Sequence, residues 1–128
     1  MANNIVTAEA NRLLDASLGT TAYTAPTGAM KLALETATGT ASAAGTEVTG
    51  GSYARQTIAF SAASAGAALN SGSITFTAMP AATVTGVEIY DSNGTPRRAW
   101  VGALTASKTV ASGDSLSFAA SSVSVQLS

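Results

Sequence analysis

In a chain more than half of whose 128 residues are Ala, Thr, Ser or Gly, the few large apolar side chains fall at every second position. Met30, Leu32 and Leu34 alternate with Lys31, Ala33 and Glu35, and Ile58 with Phe60 face away from Tyr53, Arg55 and Thr57. Val87 and Ile89, Leu116 and Phe118, and Val123, Val125 and Leu127 repeat the pattern. A two-residue period puts successive side chains on opposite faces of an extended chain, so each segment is expected to be a strand with one buried and one wet face. The small residues fill the wet faces and the connections.

The predicted strands are Ala29 to Thr36, Tyr53 to Phe60, Ala67 to Asn70, Ile74 to Thr77, Val84 to Tyr90, Arg98 to Leu104, Lys108 to Val110, Ser115 to Phe118 and Val123 to Leu127. Gly86 marks a candidate bulge. Asp91-Ser92-Asn93-Gly94 predicts a tight hairpin turn, because Asn-Gly tolerates positive φ. Thr38 to Gly51, glycine-rich with Val48 as its one large apolar residue, is expected to be a long mobile loop. Before the strands, Val6, Ala10, Leu13, Leu14 and Leu18 recur at helical spacing, with Glu9, Asn11, Arg12 and Asp15 on the other face. Thr7 is the expected N-cap and Gly19 the stop. The fold expected is mainly β: a single antiparallel β-sandwich, jelly-roll-like, over residues 20–128, preceded by a short N-terminal α-helix as an arm over 1–19.

Charge narrows the function. Six basic and seven acidic residues give a net charge of −1, and 10% charged residues is far below the ~25% of a typical domain. Such a surface offers no basic field for nucleic acid and no polybasic membrane patch. Combined with a positive mean hydropathy, it predicts association with other subunits. The opening Met1 to Val6 has no basic segment followed by an apolar stretch, and no run approaches the ~18 apolar residues of a membrane span, so a soluble chain without a cleavable export signal is expected.

The chain has no His and no Cys, which removes a disulfide framework and the groups most used for proton transfer, thiolate attack and zinc binding. Glu9, Asp15, Glu35, Glu47, Glu88, Asp91 and Asp114 are scattered and read as solvated surface or turn acids, not as a catalytic pair. No metal-loop or phosphate-loop spacing is present. No catalytic, cofactor or metal residues are therefore assigned, and no enzymatic activity is expected.

The remaining candidates are for an interface. Arg97 and Arg98 beside Trp100 could imitate a nucleic-acid contact but read better as a solvated or intersubunit charge. Tyr53 and Arg55 are of interface composition. Val6, Leu13 and Leu14 form a face that either anchors the helix to a neighbour or packs on its own sandwich.

The order of short motifs carries a resemblance. Ala10-Asn11-Arg12-Leu13-Leu14-Asp15 precedes Tyr23-Thr24-Ala25-Pro26, then come Gly50-Gly51-Ser52-Tyr53-Ala54-Arg55-Gln56, Asn70-Ser71-Gly72-Ser73-Ile74-Thr75-Phe76, Val84 to Asp91, Trp100 to Leu104 and Val110 to Phe118. In that order the chain resembles a family of small tailed-bacteriophage virion proteins, variously labelled tail fibre, minor capsid or head decoration protein. The resemblance implies a non-enzymatic β-sandwich assembled in many copies on the particle, and so a chain made in the host cytoplasm. The leading expectation is a capsid decoration protein on the capsid exterior, a homotrimer bridging subunits of the major capsid protein. The alternative is a tail-tip or tail fibre component that contacts tail proteins and the host surface. Thr36-Ala37-Thr38-Gly39 lacks the acidic, proline-bearing loop that some members have after the first strand.

Overall fold

A computed structural model describes residues 2–127, with side chains from residue 5 onward. In chain order the elements are β1 (Ala2–Ile5), α1 (Thr7–Ser17), β2 (Lys31–Ala37), β3 (Thr46–Glu47), β4 (Gln56–Thr57), β5 (Ala67–Leu69), β6 (Ile74–Phe76), β7 (Ala82–Tyr90), β8 (Arg98–Val110), β9 (Leu116–Phe118) and β10 (Ser124–Gln126). The expected mainly β, antiparallel fold with one short helix is what forms. A six-stranded sheet runs β1-β8-β7-β2-β3, with β4 beside β3 on the outer edge of β2, and β5 pairs β10 while β6 pairs β9.

The register separates the two faces of the main sheet. Leu32 lies opposite Ile89 and Leu34 opposite Val87, whereas Ala33 lies opposite Glu88 and Glu35 opposite Gly86. Because cross-strand partners share a face, the leucines and Ile89 point one way and the glutamates the other. The apolar side joins Ile58, Ile74, Phe76, Met79, Leu116, Phe118 and Val123 in one core, with Trp100 and Val125 packed against it. Phe76 stacks on Tyr53 at 6.0 Å and meets Phe118 edge-on at 6.3 Å between ring centroids.

The opposite face is covered too. Val101, paired in register with Glu88, and Val6 are buried but belong to no part of that core cluster. On this side α1 packs against β8, and the Thr7 amide at its start bonds Ala41 O in the segment that follows β2. The centre of the main sheet is therefore enclosed on both sides, and there Glu35 and Glu88 are as dry as Leu32 and Leu34.

Several local expectations change. Residues 2–5, expected to belong to a helical arm, form β1, paired along Trp100 to Ala103 of β8. Only Gln56 and Thr57 of the strand expected over Tyr53 to Phe60 pair with β2. The strands expected at Arg98 and Lys108 are one strand, β8, in which residues 104–107 oppose only Thr85. That surplus falls beside Gly86, where a bulge was expected. Gly94 does not take positive φ, and 91–97 is a wider loop shaped by Asp91. The segment after β2 is no loose loop, since it carries β3 and a buried Val48.

The helix is rotated from its expected orientation. Glu9 is buried, while Leu14 and Leu18 are 56% and 76% exposed. Thr7 makes no capping bond. Val6 holds the cap position without a side-chain hydrogen bond, and the Thr7 amide donates to Ala41 O at 2.9 Å. At the other end Gly19 takes φ 77°, its amide donating to Ala16 O and that of Thr20 to Asp15 O. These two bonds close the helix as the sequence predicts.

Candidate functional site

Eight of the thirteen charged residues, sparse in the sequence, are gathered into three clusters. In the first, Glu88 is buried and its Oε2 accepts from Arg98 Nε, while its Oε1 accepts from the Tyr90 hydroxyl at 2.9 Å. Arg98 Nη2 also donates to Thr40 O and, at 2.9 Å, to Ala43 O, so one guanidinium joins the sheet to the loop after β2. Glu35, fully buried, accepts from the Gly39 amide at 3.2 Å through Oε1. Burial first, and then its contact with Glu88, push the Glu35 carboxyl up to about 7. Burial and the bond to Glu88 likewise raise Tyr90 to about 12.

The second cluster fastens the helix. Glu9 accepts from Arg97 Nη2 at 3.2 Å, from the Tyr23 hydroxyl and from Arg12 Nη1 at 3.0 Å. Arg97 also donates to Thr24 O at 2.8 Å and lies 5.5 Å from the centre of the Tyr23 ring. A buried carboxylate is tolerated only with such partners. Helix α1 therefore rests on an ion pair where an apolar stripe was expected.

In the third cluster, Arg55 grips Glu47 through two bonds of 3.0 and 2.8 Å, and the Tyr53 hydroxyl donates to the same carboxylate at 2.7 Å while accepting from the Leu34 amide. Arg55 lies 3.8 Å over the Tyr90 ring, which links this cluster to the first. Burial works against ionisation of Glu47, but the bonds from Arg55 and Tyr53 outweigh it and hold its carboxyl below the usual range.

Asp91 organises the turn. Its Oδ1 accepts from the amides of Asn93 and Arg97 at 3.2 and 2.7 Å, and its Oδ2 from that of Thr27 at 3.1 Å. Burial opposes its charge, yet these amides together hold the carboxyl below its ordinary value. Asn70, fully buried, does similar work between Gly72, Ala119 and Val123, and its strand-end position gave no hint of that role.

The acids Glu9, Glu35, Glu88 and Asp91 are thus buried, not solvated as expected. The adjacent Arg97 and Arg98 are not solvated either, and go to different carboxylates. Tyr53 and Arg55 do converge, on Glu47 inside the fold. Val6 is buried, while Leu13 and Leu14 line an apolar groove of about 470 Å³ with Ile5, Ala10, Ser17 and Leu127. Among the described residues no three of His, Cys, Asp and Glu come together as a metal site, and no helix is long and apolar enough to cross a membrane.

Most charges of this small β protein fasten its own layers, and the sequence comparison says to which family it belongs. The chain belongs to the family described as podophage GP4 fiber I protein gp80, whose model matches residues 4–126. It is a bacteriophage virion protein, as its resemblance implied. The family description names a fibre, the second of the two placements considered from the sequence, and gives no support to decoration of the head. No curated protein matches the chain.

Proposed function

We propose that this protein is a non-catalytic structural component of a podophage fibre. The observation that carries the reading is the family match, which spans both the sheet and its helical cover and leaves almost no residue outside it. The arrangement of acids supports the absence of catalysis. Among the described residues Glu35 and Glu88 form the one carboxylate pair with a raised member, and both are buried away from any substrate. An acid and base that act on a substrate must reach it.

The protein assembles with other fibre or tail components, and the groove along Leu13, Leu14 and Leu127 is an apolar surface open to such a partner. Self-association as a trimer is tested by measuring native mass across a concentration series. Placement is tested by immunogold labelling of intact virions with antibody to this chain. Label on appendages at the tail is expected. Even label over the head would overturn the fibre reading and restore decoration.

A further inference from the structure

We propose that Glu35 and Glu88 form a proton-operated latch: with one proton shared between them the 38–45 loop is closed over the sheet, and loss of that proton releases the loop and the first turn of α1.

The loop Thr38 to Gly45 contains no ionisable residue, so its position is set by what it rests on. Its Gly39 amide donates to Glu35, its Thr40 and Ala43 carbonyls accept from Arg98, and its Ala41 carbonyl accepts from the Thr7 amide at the start of α1. Two glycines bring the main chain directly onto the carboxyl groups. A Cβ on Gly39 would lie 2.7 Å from Glu88 Oε2 and 2.5 Å from Gly45 N, and one on Gly45 would lie 2.3 Å from Glu35 Oε2 and 2.2 Å from Ala37 O. A side chain at either position would collide with main chain and carboxyl alike, so the glycines let the loop lie directly on the acids.

Within this dry contact Glu35 Oε2 is buried without a hydrogen-bond donor. An ionised carboxylate only accepts, so two ionised glutamates side by side leave that oxygen facing another acceptor. A single proton between them converts the clash into a hydrogen bond. Charge counting agrees. Glu88 has Arg98 and the neutral Tyr90 hydroxyl. Glu47, opposite Glu35 in register, is taken up by Arg55 and Tyr53. From the helix side, Glu9 is held by Arg97 and Arg12. One guanidinium therefore serves two buried carboxyls, and full ionisation leaves a net negative charge beneath the loop carbonyls.

The direction of pH dependence follows. The Glu35 carboxyl, raised by burial and by Glu88, stays protonated in the closed form well above the ordinary carboxylate value. Closure is fully favoured below that ordinary value and weakens as pH rises through about 7.

The absence of native Cys permits a single-site probe. A nitroxide on S42C, at the exposed loop tip, is followed by EPR spectroscopy, with S112C in the distant Ser112-Gly113 turn as control. The label at 42 is expected to pass from immobile to mobile with a midpoint of about 7, while the label at 112 does not change. In E35Q, whose neutral amide donates to Glu88 at every pH, the label at 42 stays immobile throughout. Should E35Q fail to fold, carboxyl carbon NMR of the wild type supplies the decision: one glutamate titrating near 7 supports the latch, and none overturns it. A label at 42 that is equally mobile on both sides of neutrality, or that still responds in E35Q, overturns it as well.

Discussion

On one face the six-stranded sheet buries Leu32, Leu34, Val87 and Ile89 against Phe76, Leu116, Phe118 and Val123, while on the other the same strands hold Glu35, Glu88 and Tyr90 against Arg98 and a covering loop. The first kind of contact is non-directional and scales with the area removed from water. The second gains little net stability, because desolvating two charges offsets most of their attraction. What it fixes is position: a guanidinium that must satisfy Glu88, Thr40 O and Ala43 O together has one geometry. The inner face therefore supplies stability, and the outer face decides where α1 and the loop sit.

Substitutions on the two faces should accordingly differ in kind as well as size. The largest effect is expected on the inner face, where Phe76→Ala removes a ring packed between Tyr53 and Phe118 and costs about 3–5 kcal/mol, read as a large drop in the urea midpoint of global unfolding. On the outer face, Arg98→Met leaves Glu88 buried without its cation and should cost about 3 kcal/mol. The double change Glu88→Leu with Arg98→Met should recover more than half of that loss, which no deletion of inner-face packing can do. If the double variant is no more stable than the single one, the outer face is not an offsetting charge pair.

Smaller effects sharpen the contrast. Asp91→Asn keeps a carbonyl acceptor but not the charge, and should lose about 1–2 kcal/mol at neutral pH. Because the Asp91 carboxyl is held below its ordinary value, its contribution is present above that value and is lost as pH falls through the lowered one. Urea midpoints at stepped pH should therefore show a shallower acid limb in the variant. Smallest of all, Leu14→Ala and Leu18→Ala, on the exposed side of the helix, should change the thermal stability of the isolated chain by less than about 0.5 kcal/mol.

How legible each region was in the sequence follows the same division. Alternation located the inner-face strands because Leu32, Leu34, Val87, Ile89, Leu116 and Phe118 are apolar wherever they point inward, a pattern that one residue at a time can carry. The outer face was misread because Glu35 and Glu88 occupy the polar half of that alternation, which is wet in a sheet covered on one side and dry in one covered on both. Only the helix and loop make the difference, and their placement is a tertiary fact. The same blind spot reversed the helix: Glu9 points inward because Arg97, 88 residues away, meets it there. The Asn93-Gly94 signal was overridden by Asp91, whose three amide bonds shape a wider loop. Of the interface residues proposed from sequence, Leu13 and Leu14 remain available at the surface groove, whereas Arg97 and Arg98 are committed internally.

The separability of the two faces is tested most directly by native-state hydrogen exchange on Arg97→Met, which removes the cation under Glu9 and leaves the apolar core untouched. The amides of α1 and of the 38–45 loop should lose protection while those of Val87 and Ile89 in β7 keep theirs. Equal loss across helix and sheet, or an undisturbed helix, would contradict the claim that charge pairs fasten the outer layer to an independently stable core.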